Sequence, residues 1–509
     1  MNDNGPASAA GASSATDPER PEPAEANSRD EPSDDLVTTR HTLRTPTGEL
    51  AYTATAGRIV LRREEHTDGV FDGHRPRAEV FVVAYTADRE PGADPAERPL
   101  TVAFNGGPGS SSVWLHLGLL GPRRVLSGDA GAPVPPPYRL VDNAESLLAH
   151  SDLLFVDPVS TGYSRAVTGG KPADFHGFGG DLDTVAEVIR LWVTRQQRWL
   201  SPLYLAGESY GTLRAAALAG RLQDRFGLYL NGLMLISTVL DMGCIRFHEG
   251  NLQPYPLFLP SYAAAAHYHG LHGSRELRDV LAEAEELAER DYPWALARGA
   301  RLSPEDRERM VTRLAAVTGL SEDYVRRSRL RLEHQRFFRE LLRDRGLTVG
   351  RLDARFTGWE PDDAGDRNSY DPAGAAIGGA YAAALNAHVR GALGYASDLP
   401  YEILTDRVQP WSYQEFEGRE VTVVGTLSAA MRANPHLRVL VGCGYYDCGT
   451  PYYAAEHTMA GLAIPDELRG NIEMRYYESG HMTYVHEPSR LTQSADLAAF
   501  VGGGAGVAR

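Results

Sequence analysis

Short runs of β-branched and apolar residues, each ending in turn residues, recur along this chain with helical patterns between them. That alternation limits the fold more than any other feature. The runs are Val80–Tyr85, Leu100–Phe104, Leu153–Val156, Leu203–Ala206, Leu233–Ile236, Leu437–Val441 and Ile472–Tyr476. Each has the length and composition of a buried strand. Between them, Asp181–Trp199 places Leu182, Val185, Val188, Ile189, Trp192 and Val193 on one helical stripe, and Thr212–Phe226 is rich in Ala, Leu and Arg. Strands that alternate with helices predict an α/β fold whose parallel sheet is covered on both faces.

One interval breaks the alternation. From Cys244 to Gly418 helical patterns dominate, as in Arg275–Asp291 (Leu277, Val280, Leu281, Ala284, Leu287) and Pro304–Leu314, with polar connections such as Asp362–Asn368. Residues 244–418 therefore read as a helical cap inserted between two parts of one core, residues 41–243 and 419–509, with strands resuming near Val421 or Leu437. A cap so placed would sit over the strand ends, where ligands bind in such sheets.

Residues 1–40, rich in Ala, Pro, Ser, Asp and Glu, read as a disordered tail that buries too little to offset its ordering entropy. The N-terminus lacks the basic and apolar regions of a secretory signal. The cysteines, Cys244, Cys443 and Cys448, are too few and odd in number for a secreted disulfide framework. Both observations favour the cytoplasm. Cys443 and Cys448 bracket Asp447 and could be free thiols or a local disulfide, thiols being favoured in that compartment. They lack a second pair of metal ligands, so neither metal nor cofactor is expected. A net charge of −16, from 51 basic and 67 acidic residues, argues against nucleic acid as a partner. No apolar run approaches the roughly 18 to 20 residues that span a bilayer, so no membrane partner is expected.

The sharpest local pattern is Gly207-Glu208-Ser209-Tyr210-Gly211, between the strand Leu203–Ala206 and the helix Thr212–Phe226. A nucleophilic serine on a strained strand-to-helix turn needs small flanking residues, and the following helix presents an amide to a developing oxyanion. The plain alternative is an ordinary glycine-containing turn. Asn105-Gly106-Gly107-Pro108-Gly109-Ser110-Ser111-Ser112 follows the strand ending at Phe104. Its glycine pair can aim backbone N–H groups into a cavity, as a second oxyanion donor must. A phosphate-cradling loop is the alternative, although the Lys-Ser/Thr pair of a Walker A loop is missing.

A serine nucleophile needs a base and an orienting carboxylate, in the chain order Ser, Asp, His in this type of sheet. Asp447 follows the strand Leu437–Val441, and His481 follows the strand beginning at Ile472. Both stand at the carboxyl ends of successive late strands.

Together, the Asn-Gly-Gly-Pro-Gly run at 105–109, Asp157-Pro158-Val159-Ser160-Thr161-Gly162-Tyr163-Ser164, Gly-Glu-Ser-Tyr-Gly at 207–211 and Gly480-His481-Met482 resemble the serine carboxypeptidase family, peptidase family S10. The resemblance spans Leu100 to Phe500. It implies an α/β-hydrolase fold with a mostly parallel central sheet and a large helical cap insertion. It further implies Ser209 as nucleophile, His481 as general base and acid, Asp447 as its orienter, and the Gly107 and Tyr210 N–H groups as the oxyanion hole. Asn105, Gly106 and Glu208 would bind substrate, Asn105 and Glu208 taking its terminal carboxylate. A carboxylate facing a carboxylate needs a shared proton, which favours acidic pH. In the better-known eukaryotic members a second Glu shares that proton, and the matching position here is Leu119. Ser110 stands where the family usually has Cys, which fits a bacterial-type member without the family's disulfides.

The function expected is a serine-type carboxypeptidase acting on peptides through an acyl-enzyme on Ser209. An acyltransferase or esterase on the same scaffold, acting on a small acyl substrate, is the alternative that Leu119 leaves room for. A catalytically inactive binding module is the third.

Overall fold

The computed structural model describes residues 31–89 and 92–503. Its principal strands are β1 (Asp35–Thr45), β2 (Gly48–Thr67), β3 (Val70–Ala87), β4 (Leu100–Phe104), β5 (Asp152–Val156), β6 (Leu203–Ser209), β7 (Gly232–Thr238), β8 (Arg438–Gly444) and β9 (Ile472–Tyr477). They form one mixed sheet in the order β1-β2-β3-β5-β4-β6-β7-β8-β9. Neighbours from β1 to β5 in that order are antiparallel, and from β5 to β9 all are parallel.

The longer helices are α1 (Phe178–Arg195), α2 (Tyr210–Phe226), α3 (Pro254–Tyr268), α4 (Leu277–Glu289), α5 (Pro304–Thr318), α6 (Pro372–Ala387) and α7 (Glu487–Gly503). Leu203 and Leu205 of β6 pack into the apolar cluster that holds Leu182, Val185 and Leu213 of α1 and α2. The alternate residues Tyr204 and Ala206 join the opposite cluster with Ile377 of α6 and Leu497 and Phe500 of α7. With both faces covered, β4, β5 and β7 are buried along their whole lengths, which is why they read as continuous apolar runs.

β7 and β8 are adjacent and parallel in the sheet, yet the chain between them passes through α3 to α6. Within that interval the strands Leu347–Val349 and Thr357–Trp359 form a small antiparallel hairpin of their own. The sheet resumes at Arg438; Val421 lies outside any strand and near it only Thr422 makes an isolated bridge, to Asp241. α5 opens with the Ser303 hydroxyl accepting from Asp306 N and Pro304 in the first turn.

The tail expected over residues 1–40 ends too late. Residues 35–40 belong to β1, paired with β2 from Asp35 opposite Arg58 onward; residues 1–30 lie outside the described residues. β1 and the long β2 were also absent from the expected strands. Their polar, partly exposed residues, such as Arg62-Arg63-Glu64-Glu65, lack the apolar continuity of the central strands. The Asp68-Gly69 turn that joins β2 to β3 has both residues at positive φ, 52° and 80°, the backbone an Asp-Gly hairpin turn requires. Among the described residues, no helix is long and apolar enough to cross a membrane.

Candidate active site

Ser209 ends β6 and caps α2 with φ 61° and ψ −129°, a conformation a side-chain-bearing residue adopts only where its surroundings hold it. The turn is tight enough to dictate its neighbours. A Cβ on Gly207 would stand 2.2 Å from the Gly211 carbonyl oxygen, and one on Gly211 would stand 2.8 Å from the Phe104 carbonyl oxygen. The glycines that flank the serine are therefore steric requirements of the turn and of its packing on β4.

The Asn105–Gly109 loop lies directly against this turn: a Cβ on Gly106 would fall 2.4 Å from the Tyr210 amide nitrogen. Gly106, Gly107 and Tyr210, the first residue of α2, thus line the same cavity as Ser209, one of about 620 Å³. The loop is held from beneath. Arg214, buried in α2, forms an ion pair with buried Asp181 of α1 at 2.7 Å, and its Nη1 donates to the Asn105 carbonyl oxygen at 2.5 Å.

Asp447 and His481 come together from the loops after β8 and β9. His481 Nδ1 lies 2.8 Å from Asp447 Oδ2. Asp447 is fully buried, and its charge is spread over further donors: Gly449 N at 2.7 Å and Thr450 N at 2.9 Å to Oδ1, and the Thr450 hydroxyl at 2.7 Å to Oδ2. These bonds fix the carboxylate and leave Nε2 as the ring nitrogen of His481 free to serve the cavity that His481 and Ser209 both line. Burial works against a charge on His481, but Asp447 beside it outweighs this and raises its pKa above the ordinary imidazole value.

A segment that no sequence signal marked ties the two late loops together. In Arg351–Arg355 the Leu352 carbonyl accepts from His481 N at 2.6 Å, the Arg351 carbonyl accepts from Cys448 N at 3.0 Å, and Ala354 N donates to the Tyr446 carbonyl at 3.0 Å. Asp353, itself paired with Arg355 at 2.6 Å, accepts from Gly480 N at 3.1 Å. The placement of Asp447 and His481 thus depends on a stretch from the helical interval.

Glu208 and Asn105 meet in the same cavity. Asn105 Oδ1 accepts from Leu115 N at 3.0 Å, which turns its Nδ2 toward Glu208 Oε1, 2.8 Å away. Glu208 Oε2 is buried without a partner. Burial disfavours its charge and lifts its pKa to about 7. Leu119 is buried in the turn His116–Leu120, and the place for a second acid is taken up by apolar packing. What stands near Glu208 instead is a phenol. The Tyr484 hydroxyl is close enough to influence Glu208, yet it completes no hydrogen bond of ordinary geometry. A Cβ on Gly118 would lie 2.3 Å from the Tyr484 ring and 2.7 Å from the Tyr381 hydroxyl, so the absence of a side chain there admits both rings. Sequence reasoning passed over Tyr484, although it lies only three residues beyond His481.

Cys244, Cys443 and Cys448 are buried free thiols, and burial raises all three pKa values. Cys443 and Cys448 form no disulfide beside Asp447.

The family model for Serine carboxypeptidase matches residues 64–244. That stretch carries Asn105, Glu208 and Ser209 but neither Asp447 nor His481. Pheromone-processing carboxypeptidase KEX1 of Yarrowia lipolytica is 33% identical over 148 residues, 28% of this chain and 22% of that protein. Serine carboxypeptidase-like 5 of Arabidopsis thaliana is 31% identical over 142 residues, 27% of this chain and 30% of its own length. The alignments cover less than a third of these relatives. The crystal structure of a prohormone-processing carboxypeptidase, KEX1(delta)p of Saccharomyces cerevisiae, superposes with a TM-score of 0.53 at 17% identity over 89% of this chain and 91% of that one. The two share the α/β-hydrolase fold.

Proposed function

We propose that this chain is a member of the serine carboxypeptidase family, a serine-type exopeptidase that removes C-terminal residues from peptides. The observation that carries the reading is the convergence, in one cavity, of a serine on a strained turn, a histidine hydrogen-bonded to a buried aspartate, and a buried glutamate held by an asparagine.

In this reading the Ser209 hydroxyl attacks the last peptide carbonyl while His481 Nε2 takes its proton. Asp447 holds the ring and offsets the imidazolium charge that forms. The Gly107 and Tyr210 N–H groups receive the oxyanion, where preorganised donors lower the barrier most. His481 then passes its proton to the leaving amine, and water, activated by the same imidazole, hydrolyses the acyl-enzyme. Asn105 and protonated Glu208 grip the terminal carboxylate of the departing residue. The three unpaired thiols support a reducing compartment as its setting.

A fluorophosphonate should label Ser209, and free-acid peptides should shorten from the C-terminus. Intact peptides after long incubation between about pH 4 and about pH 8 would contradict this. Leu119 favours a second reading, an esterase or acyltransferase using the same acyl-enzyme, because the carboxylate grip then rests on Glu208 without a partner acid. Equal turnover of C-terminally amidated or esterified and free-acid substrates would point to it.

A further inference from the structure

Four residues with titratable side chains line the cavity: Glu208, Tyr210, His481 and Arg351. Glu208 and His481 have roles above. Arg351 is the only Lys or Arg among the lining residues, and its guanidinium forms no ion pair or hydrogen bond among the described residues; its backbone carbonyl alone is used, by Cys448 N. In a chain with 67 acidic residues against 51 basic ones that isolation is informative, since a half-buried cation without a partner costs free energy. Four residues on, Arg355 is paired with Asp353 at 2.6 Å, and deep in the core Arg214 is paired with Asp181.

The carboxylates around Arg351 are already engaged. Asp447 accepts from His481, Gly449 and Thr450. Asp353 accepts from Arg355 and Gly480, and Asp371 accepts from the backbone of Leu352 and Ala373. Space has been left for the guanidinium itself: a Cβ on Gly449 would lie 2.9 Å from Arg351 Nη1. The backbone carbonyl beside it is pinned to the Asp447 loop, so the side chain springs from a fixed point next to the Asp447–His481 pair.

We propose that Arg351 is a carboxylate-binding residue of this cavity, pairing with the terminal carboxylate or an acidic side chain of the bound peptide. The planar fork of a guanidinium matches a carboxylate with two parallel hydrogen bonds, and the largely apolar lining of the cavity strengthens them. This rests on the carboxypeptidase reading for the nature of the substrate, but not for the presence of the anion site.

Binding to full-length Ser209→Ala protein, measured by calorimetry, tests the inference without turnover. The probes are N-acetyl-Ala-Phe-Glu and N-acetyl-Ala-Glu-Phe with their Gln counterparts, each as free acid and amide. The protein should favour the carboxylate-bearing member of one pairing by about tenfold. Adding Arg351→Gln should abolish that preference while leaving binding of the neutral member unchanged, and Arg351→Lys should retain part of it. Loss of the acid-over-amide preference assigns the terminal carboxylate, and loss of the Glu-over-Gln preference assigns the side chain. A Glu-over-Gln preference and an undiminished acid-over-amide preference that both survive Arg351→Gln, or no binding of any probe, overturn the proposal. An acid-over-amide preference that persists while the Glu-over-Gln one is lost is the part held by Asn105 and Glu208. Failure of the wild type to shorten peptides would instead sink the carboxypeptidase reading, and the binding result would stand apart from it. Unfolding curves matching the parent's show that Arg351→Gln still folds.

Discussion

Asn105 Nδ2 donates to Glu208 Oε1 at 2.8 Å, while Glu208 Oε2 is buried with no partner of its own. One oxygen is thus positioned and the other is left to a ligand. A protonated Oε2 could donate to a substrate carboxylate, and an ionised one would repel it. In the carboxypeptidase reading this relationship would tie substrate affinity to the titration of a single residue.

Burial lifts the Glu208 pKa to about 7, so the proton is present below that value and lost as pH rises through it. KM for free-acid peptides should therefore rise above about pH 7, while kcat/KM also falls on the acid side as His481 becomes protonated. Glu208→Gln keeps an oxygen for Asn105 and supplies an uncharged donor, so it should remove the alkaline rise in KM. The same raised pKa makes the native state hold a proton that the unfolded chain releases from 4.5 upward, so this residue's contribution to stability falls as pH climbs toward about 7. Steady-state pH profiles of the two proteins, with amidated substrates as control, check the first point.

Tyr484 should modulate that titration. Its hydroxyl helps the Glu208 carboxylate, so Tyr484→Phe should move the alkaline limb of the free-acid KM profile to higher pH. Turnover at saturating substrate should change by no more than about threefold, because the phenol lies outside the Asp447–His481 pair. An unshifted limb would remove Tyr484 from the substrate site.

Asp447→Asn should cost about four orders of magnitude in kcat while leaving the fold intact. Gly449 N and Thr450 N hold Oδ1, so the asparagine amide would place its oxygen there and turn its NH2 toward His481 Nδ1. The histidine would then carry its proton on Nε2 and could not accept one from Ser209. Burst kinetics with an activated ester, read beside unfolding curves, separate this loss from misfolding.

Asp181→Ala should destabilise the protein by about 3–5 kcal/mol, since it strands the Arg214 charge in the core. Because Arg214 also holds the Asn105 carbonyl, kcat/KM should fall further than reduced folding alone explains. Thermal unfolding and activity measured well below the transition test both points.

The central sheet was readable because buried parallel strands must be continuously apolar: the runs at Leu100, Leu203 and Leu233 lie within β4, β6 and β7. β1 and β2 escaped because their polar, partly exposed stretches lack the apolar continuity of the central strands, although of the two only β1 is an edge of the sheet. At the site, Ser209, Asp447 and His481 stand at strand ends, where local sequence and strand order reveal them. Arg351, Asp353 and Tyr484 have no such mark. Arg351 and Asp353 arrive from an irregular segment whose path over the sheet depends on long-range packing, and Tyr484 matters only because Gly118, far away in sequence, leaves room for its ring.

The most direct measurement is a mass-spectrometric time course on a peptide library presented as free acids and as amides, with wild-type protein and Ser209→Ala side by side. Carboxypeptidase chemistry through Ser209 requires stepwise loss of C-terminal residues from the free acids, slower loss from the amides, and none with Ser209→Ala. Unchanged masses with the wild type, or shortening that persists in Ser209→Ala, would contradict it.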